Sequence, residues 1–137
     1  MAQNILKPDS TFTRELMEAG GESLKKCYQC ATCSVACPMA PENAPYPRKE
    51  MVWASWGLKE KLATDVDLWL CHNCGNCADL CPRGARPADV MGAARNMVYR
   101  DLTEPTIVGK WMSKPSGLPF LFAIPALLFV RMYGRGY

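Results

Sequence analysis

One twelve-residue pattern occurs twice and constrains everything else. Residues 27–38 and 71–82 both follow C-x₂-C-x₂-C-x₃-C-P, as Cys27, Cys30, Cys33, Cys37, Pro38 and as Cys71, Cys74, Cys77, Cys81, Pro82. These two units take up all eight cysteines of the 137-residue chain. Three thiolates two residues apart on one tight loop can wrap three corners of an iron–sulfur cubane, and the fourth corner must come from elsewhere. In the bacterial run of this spacing, the fourth Cys of each unit ligates the cluster of the other. The expected ligand sets are therefore Cys27, Cys30, Cys33 and Cys81 for cluster I, and Cys71, Cys74, Cys77 and Cys37 for cluster II. Proline after the fourth Cys fixes φ where the loop ends. Crossed ligation would also staple two halves of a small core.

Two other uses of eight cysteines exist. Four disulfides suit small secreted scaffolds, but no secretory signal is visible and disulfide frameworks do not repeat a three-plus-one spacing. Two Cys₄ zinc sites are the other use, yet zinc ribbons favour paired C-x₂-C knuckles, whereas a third Cys at the same interval suits a cubane.

The length predicts one domain. Net charge is +3 with no long basic block, so charge gives no support to nucleic acid as a partner. Met1 to Ser10 is polar, which argues against a signal peptide and for the cytoplasmic side, where thiols stay reduced. His72 is the single histidine, so the chain alone cannot give a b-type haem two axial histidines. No Gly-x-Gly-x-x-Gly run follows a strand. The expectation is electron conduction without a catalytic residue.

Along the chain, residues 10–19 predict a short helix capped by Ser10 or Thr11, with Phe12 and Leu16 on one face and Gly20-Gly21 as its stop. The stretch 41–47 reads as extended and punctuated by proline. Pro47 opens a helix to about Trp56, with Met51, Val52 and Ser55 or Trp56 inward and Gly57 as stop. Arg48 and Lys49 at its start read as exposed. A second short helix covers 58–63. After the second unit, Pro87 opens a helix to about Arg100 with Val90, Met91, Ala94, Met97 and Val98 on its core stripe. No period-two strand is found, so the class is all-α: a helical ferredoxin over 1–100, an exposed linker over 101–116 and a hydrophobic tail over 117–137. Residues 117–130 are uncharged, but fourteen residues fall short of the roughly 20 needed to span a bilayer. Trp111, Tyr133, Arg131 and Arg135 flank them like interfacial anchors, so membrane contact is preferred over docking on a partner.

The cysteine units, with Pro47-Arg48-Lys49-Glu50-Met51, Trp56-Gly57-Leu58-Lys59, Trp69-Leu70-Cys71-His72 and Cys81-Pro82-Arg83-Gly84-Ala85-Arg86-Pro87, resemble the C subunit of heterodisulfide reductase. They resemble most its relative, the C subunit of the quinone-interacting membrane-bound oxidoreductase complex. That resemblance covers about residues 10–130. It implies a two-cluster relay between flavin-binding heterodisulfide reductase A-like subunits and a membrane quinone module, with adenylylsulfate reductase of sulfate reduction downstream. It places FAD and haem b in partner subunits or in membrane helices beyond this sequence. The heterodisulfide reductase relative implies a relay to a disulfide-reducing subunit instead, and a soluble ferredoxin acting alone is a further alternative. Paired Cys-Cys-Gly motifs are absent, so disulfide catalysis is assigned to no residue here. Tyr28, Gln29, Thr32, His72 and Asn73 lie near enough in sequence to affect cluster potential, and most of them are expected only to pack or face water.

Overall fold

The computed structural model describes residues 6–112 and 114–134. Every regular element among them is helical, as an all-α chain requires. The chain divides into two compact units, 1–97 and 98–137.

In the first unit, α1 (Ser10–Leu16) is capped by Asp9, one residue before the expected caps. The Asp9 carboxylate accepts from the N–H of Thr11 at 2.8 Å and of Phe12 at 3.2 Å. A carboxylate satisfies two orphan donors and favours the positive end of the helix, which a serine or threonine hydroxyl does less well. Phe12 and Leu16 are buried as their spacing predicts. A single π-type turn, Met17–Gly21, follows, with Gly20 at φ 117°, and a 3₁₀ turn (Glu22–Lys26) delivers the chain to Cys27. The helix α2 (Thr32–Ala36) lies inside the first cysteine unit.

The segment 41–47 is turned rather than extended. The Ala44 N–H donates to Pro41 O at 3.2 Å, and the Tyr46 N–H to Ala44 O at 2.8 Å. Its prolines sit at corners of successive turns, a role they fill as readily as an extended one. Then α3 (Arg48–Ser55) buries Glu50, Met51 and Ala54, while Trp56 beyond its end is exposed. The inward face is thus rotated from the expected one, because it follows i, i+1, i+4 from Glu50. Gly57 is required where it stands. Its φ is +69°, and a Cβ there would lie 2.2 Å from Asp9 O, while the Asp9 N–H donates to Gly57 O at 3.0 Å. The cap of α1 and the stop of α3 thereby lock together.

The helix α4 (Lys59–Thr64) and a 3₁₀ turn (Val66–Leu70) bury Leu62 and Leu68. They lead into the second cysteine unit, which holds α5 (Asn76–Asp79). The helices α2 and α5 pack on each other. The last helix of this part, α6 (Pro87–Leu102), starts at Pro87 as expected and runs two residues past Arg100. Val90, Met91, Ala94, Met97 and Val98 are all buried. Full burial of a Val or Met side chain is worth about 1.5–3 kcal/mol, so this stripe is a principal source of cohesion.

In the second unit, the stretch expected to be a bare linker contains α7 (Thr106–Met112). Its buried residue is Gly109, where a Cβ would meet Thr103 Cβ at 2.9 Å. A helix that packs through a glycine leaves no apolar period in the sequence. A 3₁₀ turn (Pro115–Gly117) passes directly into α8 (Leu118–Tyr133). Together they make one apolar stretch of 19 residues, long enough by length and composition to cross a membrane. The expectation of a segment too short to span is thereby corrected: the helical stretch opens with the turn at Pro115 and continues through Arg131 to Tyr133. Its large apolar side chains, among them Phe120, Phe122, Leu127, Leu128 and Phe129, are exposed. Arg135 lies outside the described residues.

Candidate metal centre

The two cysteine units fold alike. Gln29 and Ala31 in the first have φ of 68°, and Asn73 and Gly75 in the second have φ of 61° and 87°. These are the third and fifth positions of each unit. Three of the four are not glycine, and left-handed backbone costs an L-residue roughly 1–2 kcal/mol. That cost is met in both loops, so the same coil is imposed twice. In each unit the third Cys lies within a short helix, α2 or α5, and the fourth follows that helix.

The cysteines line two cavities. One is lined by Cys37, Cys71, Cys74 and Cys77, with Tyr46 and His72 in its wall. The other is lined by Cys27, Cys30, Cys33 and Cys81, with Arg48 and Arg83. The fourth cysteine of each unit faces the cavity of the other. None of the eight is in a disulfide.

The electrostatics fit a metal cluster. Burial pushes the Cys33 thiol up to about 11, and the neighbouring sulfurs of Cys27, Cys77 and Cys30 add to it. Cys77 is likewise raised by burial, partly offset by the Ala88 backbone N–H, with Cys71, Cys37 and Cys74 adding repulsion. Thiolates at Cys33 and Cys77 call for a cationic group beside them, which is what iron supplies. At the outer edge Cys30 is lowered, first by the Thr32 hydroxyl, which lies 3.3 Å from its Sγ. Cys33 also senses Cys77 of the other unit, so the two sets are electrostatic neighbours.

Elements outside the loops hold them in place. The Arg86 N–H donates to Ser23 Oγ at 2.9 Å, fastening the end of the second unit to the approach of the first. Arg95 of α6 donates to the carbonyl of Cys71. Lys49 Nζ lies 2.6 Å from Asp67 Oδ2, 2.9 Å from Asp65 Oδ2 and 3.4 Å from Glu50 Oε1. Partial burial works against its charge, but hydrogen bonds with Asp67 and Asp65 prevail and hold Lys49 above the usual lysine range. Arg48 and Lys49 are therefore not the exposed pair expected. Arg48 faces a cysteine cavity and Lys49 sits within an acidic cluster.

Of the five residues beside the cysteines, Gln29 Nε2 donates to Cys27 Sγ at 3.3 Å. Tyr28 lines the same cavity beneath the Arg83 guanidinium, 5.5 Å from the ring centre. His72 and Asn73 line the other. Sequence reasoning does not find Tyr46, which is 1% exposed. Its hydroxyl has no partner at hydrogen-bond geometry, although Cys71 is close enough to act on it. Burial, then the Cys71 and Cys37 sulfurs, drive this phenol well above the usual tyrosine range. It lies between proline turns with no helical period, and only the tertiary fold brings it to the second loop.

Residues 23–85, which contain all eight cysteines, match the family of the 4Fe-4S dicluster domain. The chain is also similar to the C subunit of the H(2):CoB-CoM heterodisulfide,ferredoxin reductase of Methanothermobacter marburgensis, 37% identical over 98 residues, covering 69% of this chain and 52% of the relative. An iron-sulfur C subunit of the CoB–CoM heterodisulfide reductase of Methanocaldococcus jannaschii is 35% identical over 65% of the chain and 52% of its own length. A protein of Archaeoglobus profundus that is itself like the heterodisulfide reductase C subunit is 34% identical over 63% and 46%. The chain spans about half the length of the curated relatives it matches. With eight thiols gathered at two cavities inside an all-helical frame, it carries two 4Fe–4S clusters and is similar to the 4Fe-4S dicluster domain over residues 23–85 and to heterodisulfide reductase C subunits over about half their length.

Proposed function

We propose that the chain is an electron-relay subunit of a heterodisulfide reductase-like complex, passing single electrons between its two clusters. Cys27, Cys30, Cys33 and Cys81 hold cluster I, and Cys71, Cys74, Cys77 and Cys37 hold cluster II. The observation that carries this reading is the pairing of each fourth cysteine with the opposite cavity. Crossing makes each cluster a bond between the two loops, so the redox centres and the core form together. The clusters supply the electron chemistry. The chain supplies insulation, hydrogen bonds to sulfur and local charge, the levers that set a cluster's potential.

A flavin-binding subunit on one side and a disulfide-reducing subunit on the other are the partners of this reading. The named relatives favour it over the quinone-interacting complex of sulfate reduction. One observation keeps the quinone reading as a second: the exposed apolar stretch 115–133, which suits attachment to the cytoplasmic side of a membrane beside a quinone module. The test is reoxidation of the reduced clusters in the complex isolated from native cells. Recovery of the visible absorption on adding a heterodisulfide, with none on adding a short-chain quinone, is expected. Recovery with the quinone alone would overturn the first reading in favour of the second.

A further inference from the structure

We propose that the Tyr46 hydroxyl is a hydrogen-bond donor to the sulfur environment of the cluster at Cys71, Cys74 and Cys77, and so raises that cluster's reduction potential. Tyr46 is a positioning and tuning residue acting through sulfur. The inference rests on the second loop holding a cluster, but not on which residue supplies the fourth ligand.

Three observations meet here. Tyr46 is 1% exposed, and its hydroxyl oxygen is buried with no hydrogen-bond partner among the described residues. A buried hydroxyl without a partner costs about 1–3 kcal/mol, so one is expected unless something in the cavity completes it. Tyr46 lines the cavity that Cys37, Cys71, Cys74 and Cys77 share. The Cys71 and Cys37 sulfurs are the neighbours that act most strongly on this hydroxyl, ahead of the Glu50 carboxyl, and an O–H donor aimed at sulfur stabilises the more negative, reduced cluster. The first loop offers a parallel: its leading cysteine, Cys27, accepts a hydrogen bond from Gln29 Nε2 at 3.3 Å. The matching residue of the second loop, Asn73, has one methylene less, and a hydroxyl from outside the loop takes over the role. The two clusters thus receive donors of different type, which gives a relay of two similar cubanes a means to hold unequal potentials.

The test is a mediated redox titration of the anaerobic holoprotein, followed by the paramagnetic signal of each cluster. The signal of the second loop is identified as the one that Cys74→Ser alters. Tyr46→Phe keeps the ring and its packing and removes only the hydroxyl. Iron content is expected to stay unchanged, and that signal's midpoint to move negative by about 59 mV, a tenfold loss in the one-electron equilibrium. The signal altered by Cys30→Ser is expected to stay in place. An exchangeable proton coupled to the second-loop cluster should vanish in the same variant. Should Tyr46→Phe fail to hold iron, 3-fluorotyrosine at position 46, a stronger donor of nearly the same shape, must move the midpoint positive. An unmoved midpoint in iron-replete Tyr46→Phe, or in the fluorinated protein, overturns the proposal while leaving the relay reading intact. Failure of Cys74→Ser to alter any iron signal would overturn the second-loop cluster itself.

Discussion

Lys49 Nζ lies 2.6 Å from Asp67 Oδ2 and joins α3 to the turn that ends at Cys71. The same ammonium meets Asp65 and the buried Glu50, so one cation is shared by three carboxyl groups. Lys49 also lies 5.1 Å from the centre of the Trp53 ring, with Lys61 at 5.7 Å. This knot fixes the approach to the second cysteine loop without touching a sulfur.

Replacing Lys49 by methionine keeps the stem and removes the charge. Loss of one partner from a buried ion pair costs about 3–5 kcal/mol, and because Lys49 retains 21% exposure, about 2 kcal/mol is expected. Anaerobic denaturant unfolding should show it. Chelator should also strip the second-loop cluster faster than the first.

Glu50 gives a pH dependence with a definite sign. Burial raises its carboxyl to about 7; the hydrogen bond with Asp65 pushes the same way, while its backbone contact and Lys49 oppose. A free glutamate titrates near about 4.3, so the folded chain holds a proton that the unfolded chain releases. The contribution is full below about pH 4 and is lost as pH rises through about 7. Stability should therefore fall between about pH 4 and 7, with Lys49, Asp65 and Tyr46 the groups facing Glu50. Glu50→Gln should flatten that slope and raise the unfolding free energy at about pH 8 by on the order of 1–3 kcal/mol.

Gly57→Ala should be more damaging than a surface exchange. The new Cβ would meet Asp9 O at 2.2 Å on a backbone with φ of +69°. Strain and collision together should cost at least about 2 kcal/mol. A drop in thermal midpoint with the visible cluster spectrum unchanged at low temperature is the expected result.

Deleting residues 117–137 removes the exposed apolar helix. The truncated chain should keep both clusters and lose sedimentation with membranes. Unchanged sedimentation would rule this helix out as the anchor.

The parts legible in the sequence are those where one residue type at one spacing has a single physical use. The cysteine units, the α6 stripe and the Phe12–Leu16 face are of this kind. The parts not legible depend on contacts between distant segments. Glu50 carries no reading of its own in the sequence, and its burial is understood only once Asp65, Asp67 and Lys49 are seen around it. Tyr46 reads as a loop residue until the fold brings it to Cys71. The helix α7 hides because it packs through Gly109 rather than through an apolar stripe, and the reach of α8 hides because Arg131 breaks the uncharged run without ending the helix.

The most direct test of two cross-stapled clusters is the spectrum of dithionite-reduced Cys81→Ser beside those of Cys30→Ser and Cys74→Ser. Crossed ligation predicts that Cys81→Ser perturbs the paramagnetic signal that Cys30→Ser perturbs and leaves that of Cys74→Ser intact. Perturbation of the Cys74 signal alone would contradict it.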